Sequence, residues 1–130
     1  MRVLVMGLPG SGKTTLADSL PLPFVRLNAD QIRQEANDWD FTIEGRLRQA
    51  RRMRELAGDK DVIADFVCPL PEMREIFDAD YVVWINTIKS SRFSDTNSVF
   101  VPPTKFNCCV TNFDNKFVHK ILDDITRIQS

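Results

Sequence analysis

The stretch Gly7-Leu8-Pro9-Gly10-Ser11-Gly12-Lys13-Thr14 has the form G-x-x-x-x-G-K-T, and Thr15 follows it. It comes directly after Val3-Leu4-Val5-Met6, a short continuous apolar run of the kind that forms a strand covered on both faces. Thr14-Thr15-Leu16-Ala17 then opens a helix that must stop before Pro21 and Pro23. Strand, glycine-rich loop and helix in that order make a phosphate cradle, the P-loop. The glycines let the backbone turn with its N–H groups facing one anion, and the helix N-terminus adds its dipole to that field. Lys13 supplies a point charge for the β- and γ-phosphates of ATP, and the Thr14 hydroxyl is a ligand for Mg²⁺. The expected ATP-binding set is Gly7, Leu8, Pro9, Gly10, Ser11, Gly12, Lys13, Thr14 and Thr15. The motif points to triphosphate binding and leaves open what receives the phosphate.

Outward from the loop, strand-like and helix-like pieces alternate. Phe24-Val25-Arg26-Leu27 reads as a second strand, and Asp30 can cap a helix from Gln31 to Ala36. Thr42 can cap a longer helix that ends near Gly58. Val62-Ile63-Ala64-Asp65-Phe66 is a third strand, Pro71 suits the first turn of a helix ending near Phe77, and Tyr81 to Ile85 is a fourth strand. Residues 87–104 are polar and Ser-rich and read as a loop or lid. Phe106 to Thr111 reads as a fifth strand. Phe117, Val118, Ile121, Leu122, Ile125 and Ile128 recur at helical spacing and predict a terminal amphipathic helix. The alternation predicts an α/β fold of the P-loop NTPase kind, a five-stranded parallel sheet flanked by helices. Ligands of such sheets sit beyond the carboxyl ends of the strands, which directs attention to residues 7–14, 28–33, 65–74 and 86–100.

Composition bounds the partners. A chain of 130 residues predicts one domain over 1–130, with the lid at about 87–104. Hydrophobic residues are 43% and charged residues 27%, which argues against disorder. Lys plus Arg is 17 against 18 Asp plus Glu, for a net charge of −1. Nucleic acid held by a global positive field is therefore not expected, and any anion must be held locally. No apolar run approaches the ~20 residues of a membrane span, so no membrane partner is expected. The N-terminus lacks a signal-peptide cleavage pattern, and a cytoplasmic location follows as an expectation. Cys68, Cys108 and Cys109 form no C-x-x-C and have no His nearby, which predicts reduced thiols rather than a metal site.

Three features bear on the acceptor. Asp30 and Arg33 flank the first turn of a predicted helix, where they can take a hydroxyl proton and hold an anion. The bland alternative is a cap and a solvated side chain. Arg46 to Arg54 holds five Arg and no acid, which suits either an anionic ligand or a solvated helix face. Asp65 ends a strand beside the P-loop, a position from which a carboxylate holds Mg²⁺. Thr14, Asp30 and Asp65 are thus the candidate metal residues, with Asp30 and Asp65 competing for the metal and base roles.

These residues resemble the adenylylsulfate kinase (APS kinase) family. The family's D-G-D-x-x-R is similar to Asn28-Ala29-Asp30-Gln31-Ile32-Arg33. Its N-x-D-L-G-F-S followed by R-x-E-N-x-R-R is similar to Asn37-Asp38-Trp39-Asp40-Phe41-Thr42 followed by Arg46 to Arg52. Its F-I-S-P-Y…R looks like Phe66-Val67-Cys68-Pro69 and Arg74. The matches run over residues 3–87 and depart at Asn28, Ala29, Gln49, Cys68 and the lid, which lacks the family's K-G-L-Y and F-T-G-I segments. The resemblance implies transfer of the γ-phosphate of ATP to the 3′-hydroxyl of adenylylsulfate. It implies Asp30 and Lys13 as catalytic residues. Arg33, Arg46 and Gln49 would hold the sulfate-bearing nucleotide, and Phe41 would stack on its base. Phe66, Val67 and Cys68 would form the neighbouring wall. The implied partners are ATP and a small nucleotide acceptor, with room for a homodimer. The alternative is a P-loop kinase of another hydroxyl acceptor, such as a polynucleotide 5′-end or a modified nucleoside. A non-catalytic nucleotide-binding module stands third, opposed by the intact Lys13, Thr14 and Asp30.

Overall fold

The continuous apolar runs of the chain become the strands of one parallel sheet. The computed structural model describes residues 1–130. Strands β1 (Arg2–Met6), β2 (Val25–Asn28), β3 (Val62–Asp65), β4 (Tyr81–Ile85) and β5 (Cys108–Val110) lie in the order β2-β3-β1-β4-β5. Every neighbouring pair is parallel. Helices α1 (Lys13–Asp18), α2 (Ala29–Ala36), α3 (Ile43–Ala57), α4 (Pro71–Phe77), α5 (Ser94–Val99) and α6 (Asn115–Gln129) complete the chain. The expected α/β architecture and its five-stranded sheet are both present.

The centre of the sheet explains why β1 is apolar throughout. Its alternate residues point to opposite faces. Val3 and Val5 pack with Leu16 and Ala17 of α1 and Ile121 and Ile125 of α6. Leu4 and Met6 pack with Ala50 and Met53 of α3 and Met73 and Phe77 of α4. Both faces are covered, so β1 has no polar side. Burying one Val, Leu or Met here is worth about 1.5–3 kcal/mol. No helix is long and apolar enough to cross a membrane.

Local chemistry sets the helix ends. The Thr42 side chain accepts from Gly45 N at 3.1 Å and starts α3, and Gly58 follows its last turn. Pro71 stands in the first turn of α4. One expected boundary moves. Helix α2 starts at Ala29 rather than Gln31, and its cap is Asn28, whose side chain accepts from Gln31 N at 3.0 Å. Pairing carries β2 through Asn28, which lies in register with Asp65. The chain leaves the sheet there, and the first capping side chain it offers is that of Asn28. Asp30 is left in the first turn with its carboxylate exposed. The polar segment 87–104 also differs from a plain loop, because it contains α5. Strand β5 is shorter than expected, and Phe66 lies just past β3.

Candidate active site

The P-loop wraps from the end of β1 to the start of α1. A side chain at Gly7 would bring its Cβ to 2.6 Å from Ile85 O on the adjoining strand and 2.9 Å from Ser11 Oγ. Gly12 caps α1 at φ 102°, in the left-handed region, with the Phe113 ring directly against it. Lys13 Nζ donates to Leu8 O at 3.1 Å. Burial pushes the Lys13 pKa below its ordinary value, while the charges of Asp65 and Asp30 work in the opposite sense. Ser11 is buried, and its carbonyl accepts from the Thr87 hydroxyl at 2.6 Å, which ties the start of the lid to the loop. Thr15 remains exposed beside Thr14.

Sheet order brings Asp65 to the loop. Strand β3 lies beside β1, with Asp65 in register with Val5, so its carboxylate reaches the first turn of α1. The Thr14 hydroxyl donates to Asp65 Oδ2 at 2.7 Å. Asn28 Nδ2 donates to both Asp65 oxygens at 3.3 and 3.2 Å. Arg26 Nη2 lies 3.4 Å from Oδ2 and supplies charge to a carboxylate that is only 2% exposed. A hydroxyl and a carboxylate sharing one point at the mouth of a phosphate cradle are hard oxygen donors. They fit Mg²⁺, which takes one or two protein oxygens and completes its shell with phosphate and water.

Across the cleft, Arg33 and Arg46 are each 4% exposed. Arg33 donates to the carbonyls of Asp38 and Asp40 at 2.9 and 3.2 Å. Arg46 Nε donates to Phe41 O at 2.9 Å, and its Nη2 lies 3.5 Å from Thr96 Oγ1. The two guanidinium carbons stand 4.4 and 5.3 Å from the centre of the Phe41 ring. That ring remains 46% exposed and lines the cleft. Gln49 is buried, donating to Ala29 O at 3.1 Å and accepting from Arg52 at 2.6 Å. Its amide therefore joins α3 to α2. Phe66 meets Phe77 edge to face at 5.6 Å and, with Val67 and Cys68, lines the cleft. Cys68 is fully buried at φ 50°, and burial pushes its thiol pKa up to about 12.

One cleft of about 1140 Å³ gathers these two halves. Lys13, Thr14, Asp30, Arg33, Phe41, Arg46, Gln49, Asp65, Phe66, Val67 and Cys68 all line it. Gly7, Leu8 and Ser11 lie behind its surface as the buried frame of the loop. The arginine run corrects one expectation. Arg48 bonds Asp38 and Asp40, and Arg52 bonds Asp38, at 2.9, 3.0 and 2.7 Å. Arg48 and Arg52 are thus paired with acids of the preceding loop, and among the five Arg only Arg46 lines the cleft. Asn28, Arg92, Phe93 and Thr96 also line it, within the segments 28–33 and 86–100 expected on the ligand side, and so does Trp39, which lies outside them. Asn28 carried a signal, since it occupies a position where the resembling family has Asp.

The strand order, the P-loop on the central strand and the two-sided cleft define the fold of the P-loop kinases. Residues 3–72 match the family described as AAA domain, and the chain belongs to that family. The APS kinase of Mycobacterium tuberculosis, solved with AMPPNP and APS, is similar with a TM-score of 0.81 at 19% identity, covering 96% of each chain. A sugar kinase from a Janibacter species is similar with a TM-score of 0.74 at 15% identity, over 96% of this chain and 94% of that one. The shikimate kinase of Aquifex aeolicus gives a TM-score of 0.69 at 14% identity, over 99% and 98%. At these identities the likeness is one of fold. No curated protein matches the chain in sequence.

Proposed function

We infer that this protein is a phosphotransferase that moves the γ-phosphate of ATP onto the 3′-hydroxyl of adenylylsulfate. The observation that carries the acceptor assignment is Phe41, half-exposed in the cleft and flanked by the buried guanidinium groups of Arg33 and Arg46. A flat aromatic surface beside two cations suits a base joined to an anionic phosphosulfate. A neutral sugar would bring no charge to the two guanidinium groups, and a single carboxylate would bring one where a phosphosulfate brings two. The similarity to an APS kinase solved with APS supports the same reading.

The residues divide the work. The loop amides and Lys13 hold the β- and γ-phosphates. Thr14 and Asp65 would hold Mg²⁺, which neutralises charge on the transferring group. Asp30 is exposed at the first turn of α2 and lines the cleft together with Lys13, on which its charge acts. Its carboxylate orients the accepting hydroxyl and takes its proton as the oxygen bonds to phosphorus. The bond from the γ-phosphorus to its bridging oxygen breaks, and ADP leaves.

The test is transfer from γ-labelled ATP to adenylylsulfate, to a single-stranded 5′-hydroxyl DNA and to no acceptor. Label on adenylylsulfate alone is the expected result. Label on DNA assigns the cleft to a polynucleotide end, and release of phosphate without any acceptor makes the protein an ATPase.

A further inference from the structure

We propose that Arg74, a residue of α4 outside the cleft, is a positioning residue that locks the lid to the acceptor wall and so sets the lid helix α5 against Arg46. Arg74 Nε donates to Cys68 O at 3.1 Å, and Nη2 donates to Pro69 O at 3.2 Å. The same Nη2 also donates to Val101 O. Cys68 and Pro69 belong to the wall that lines the cleft, whereas Val101 lies on the return leg of the lid. The same two segments are joined a second time, through Val101 N donating to Pro69 O at 2.9 Å. The Arg74 guanidinium lies 5.7 Å from the centre of the Phe100 ring, which closes the joint from the lid side. Cys68 takes its left-handed backbone, φ 50°, at this joint. A non-glycine residue in that region is held there by its surroundings, and the Arg74 fork is one of the contacts that hold it.

The joint has a consequence at the site. Helix α5 ends at Val99, directly before Phe100 and Val101, so anchoring Val101 fixes one end of the helix. The other end carries Asp95 and Thr96. Arg46 Nη2 lies 3.8 Å from Asp95 and 3.5 Å from Thr96 Oγ1. The lid helix therefore docks on the acceptor arginine, and Arg74 fixes the distance over which it does so. A lysine cannot reproduce this, because a single ammonium lacks the planar fork that reaches three carbonyls at once.

The proposal rests on the acceptor assignment above only for its kinetic arm. Hydrogen–deuterium exchange of the free protein tests the lock directly in wild type, Arg74→Gln and Arg74→Lys. Three lid amides report on it: Asn97 N, Phe100 N and Val101 N, bonded to Phe93 O, Thr96 O and Pro69 O. In Arg74→Gln they should exchange about tenfold faster or more, with the amides of β1 and β3 unchanged. Arg74→Lys should lie between the two. In steady-state kinetics the KM for adenylylsulfate should rise about fivefold or more, with the KM for ATP within about twofold of wild type. Unchanged lid exchange in the variants overturns the proposal, and so does acceleration spread equally through the sheet. Faster lid exchange with an unchanged acceptor KM overturns the positioning role. Absence of any label on adenylylsulfate with wild type removes the acceptor reading, while the exchange result still decides the lock.

Discussion

The Thr14 hydroxyl donates to the Asp65 carboxylate across 2.7 Å, joining the first turn of α1 to the end of β3. Asp65 makes this contact and Asp30 does not, which is the basis for proposing different roles for the two acidic residues. Asp65 is buried against the P-loop helix, while Asp30 is exposed in the first turn of α2, and both line the cleft. Asp65→Asn should raise the Mg²⁺ concentration needed for half-maximal activity by about tenfold or more, as expected when a charged ligand is replaced by a neutral one. With Asp30 in the proposed role of base to the accepting hydroxyl, Asp30→Asn should lower kcat while ATP binding stays near wild type. Mg²⁺ titrations and nucleotide binding measured on both variants check the division. The reverse pattern would exchange the two roles.

Lys13→Ala should remove phosphoryl transfer and leave the fold intact. The ammonium group bonds only the Leu8 carbonyl in the free protein, so its loss opens no apolar cavity. Losing a positioned charge at the transferring group should raise the barrier by about 3 kcal/mol or more. Single-turnover rates together with a melting temperature near wild type would confirm both halves.

Much of the architecture could be read from the chain because its signals are local. The strand–loop–helix context of the P-loop, the Thr42 cap, Gly58 and Pro71 each act within one turn of the residue that carries the signal. What escaped depends on the sheet. Asn28 and Asp30 are both able to cap a helix, and the register of β2 with β3 selects Asn28. The partners of Arg48 and Arg52 lie 8–14 residues earlier, in a loop whose path the sequence does not disclose. Helix α5 has no apolar periodicity. A side-chain network holds the turn that leads into it, where Asn97 bonds both the backbone and the hydroxyl of Ser91 at 2.8 Å. Its one buried residue, Thr96, packs toward Arg46.

The same loop makes a pH prediction. Hydrogen bonds from Arg48 and Arg52 hold the Asp38 carboxyl well below the usual carboxylate range. Its folded pKa is depressed, so its contribution to stability is present above the unfolded value of about 4 and is lost as pH falls through the folded value. The melting temperature of wild type should therefore drop as pH is lowered below about 4, with a shallower drop in Asp38→Asn. The Arg33 bond goes to the main-chain carbonyl of Asp38, which Asn retains, so the same variant should leave the KM for either substrate within about twofold of wild type. Melting curves across the acid range, with substrate KM values at neutral pH, check both outcomes.

The most direct test of the account is steady-state kinetics on Arg46→Ala and Phe41→Ala with ATP and adenylylsulfate both varied. A guanidinium bonded to a charged oxygen contributes roughly 1.5–3 kcal/mol, and base stacking on an aromatic ring about 1–3 kcal/mol. Arg46→Ala should raise the KM for adenylylsulfate about tenfold or more. Phe41→Ala should raise it by a smaller factor, and both variants should leave the KM for ATP nearly unchanged. Equal weakening of ATP and adenylylsulfate in Arg46→Ala, or a wild-type protein that never phosphorylates adenylylsulfate, would contradict the acceptor site built on Arg33, Phe41 and Arg46.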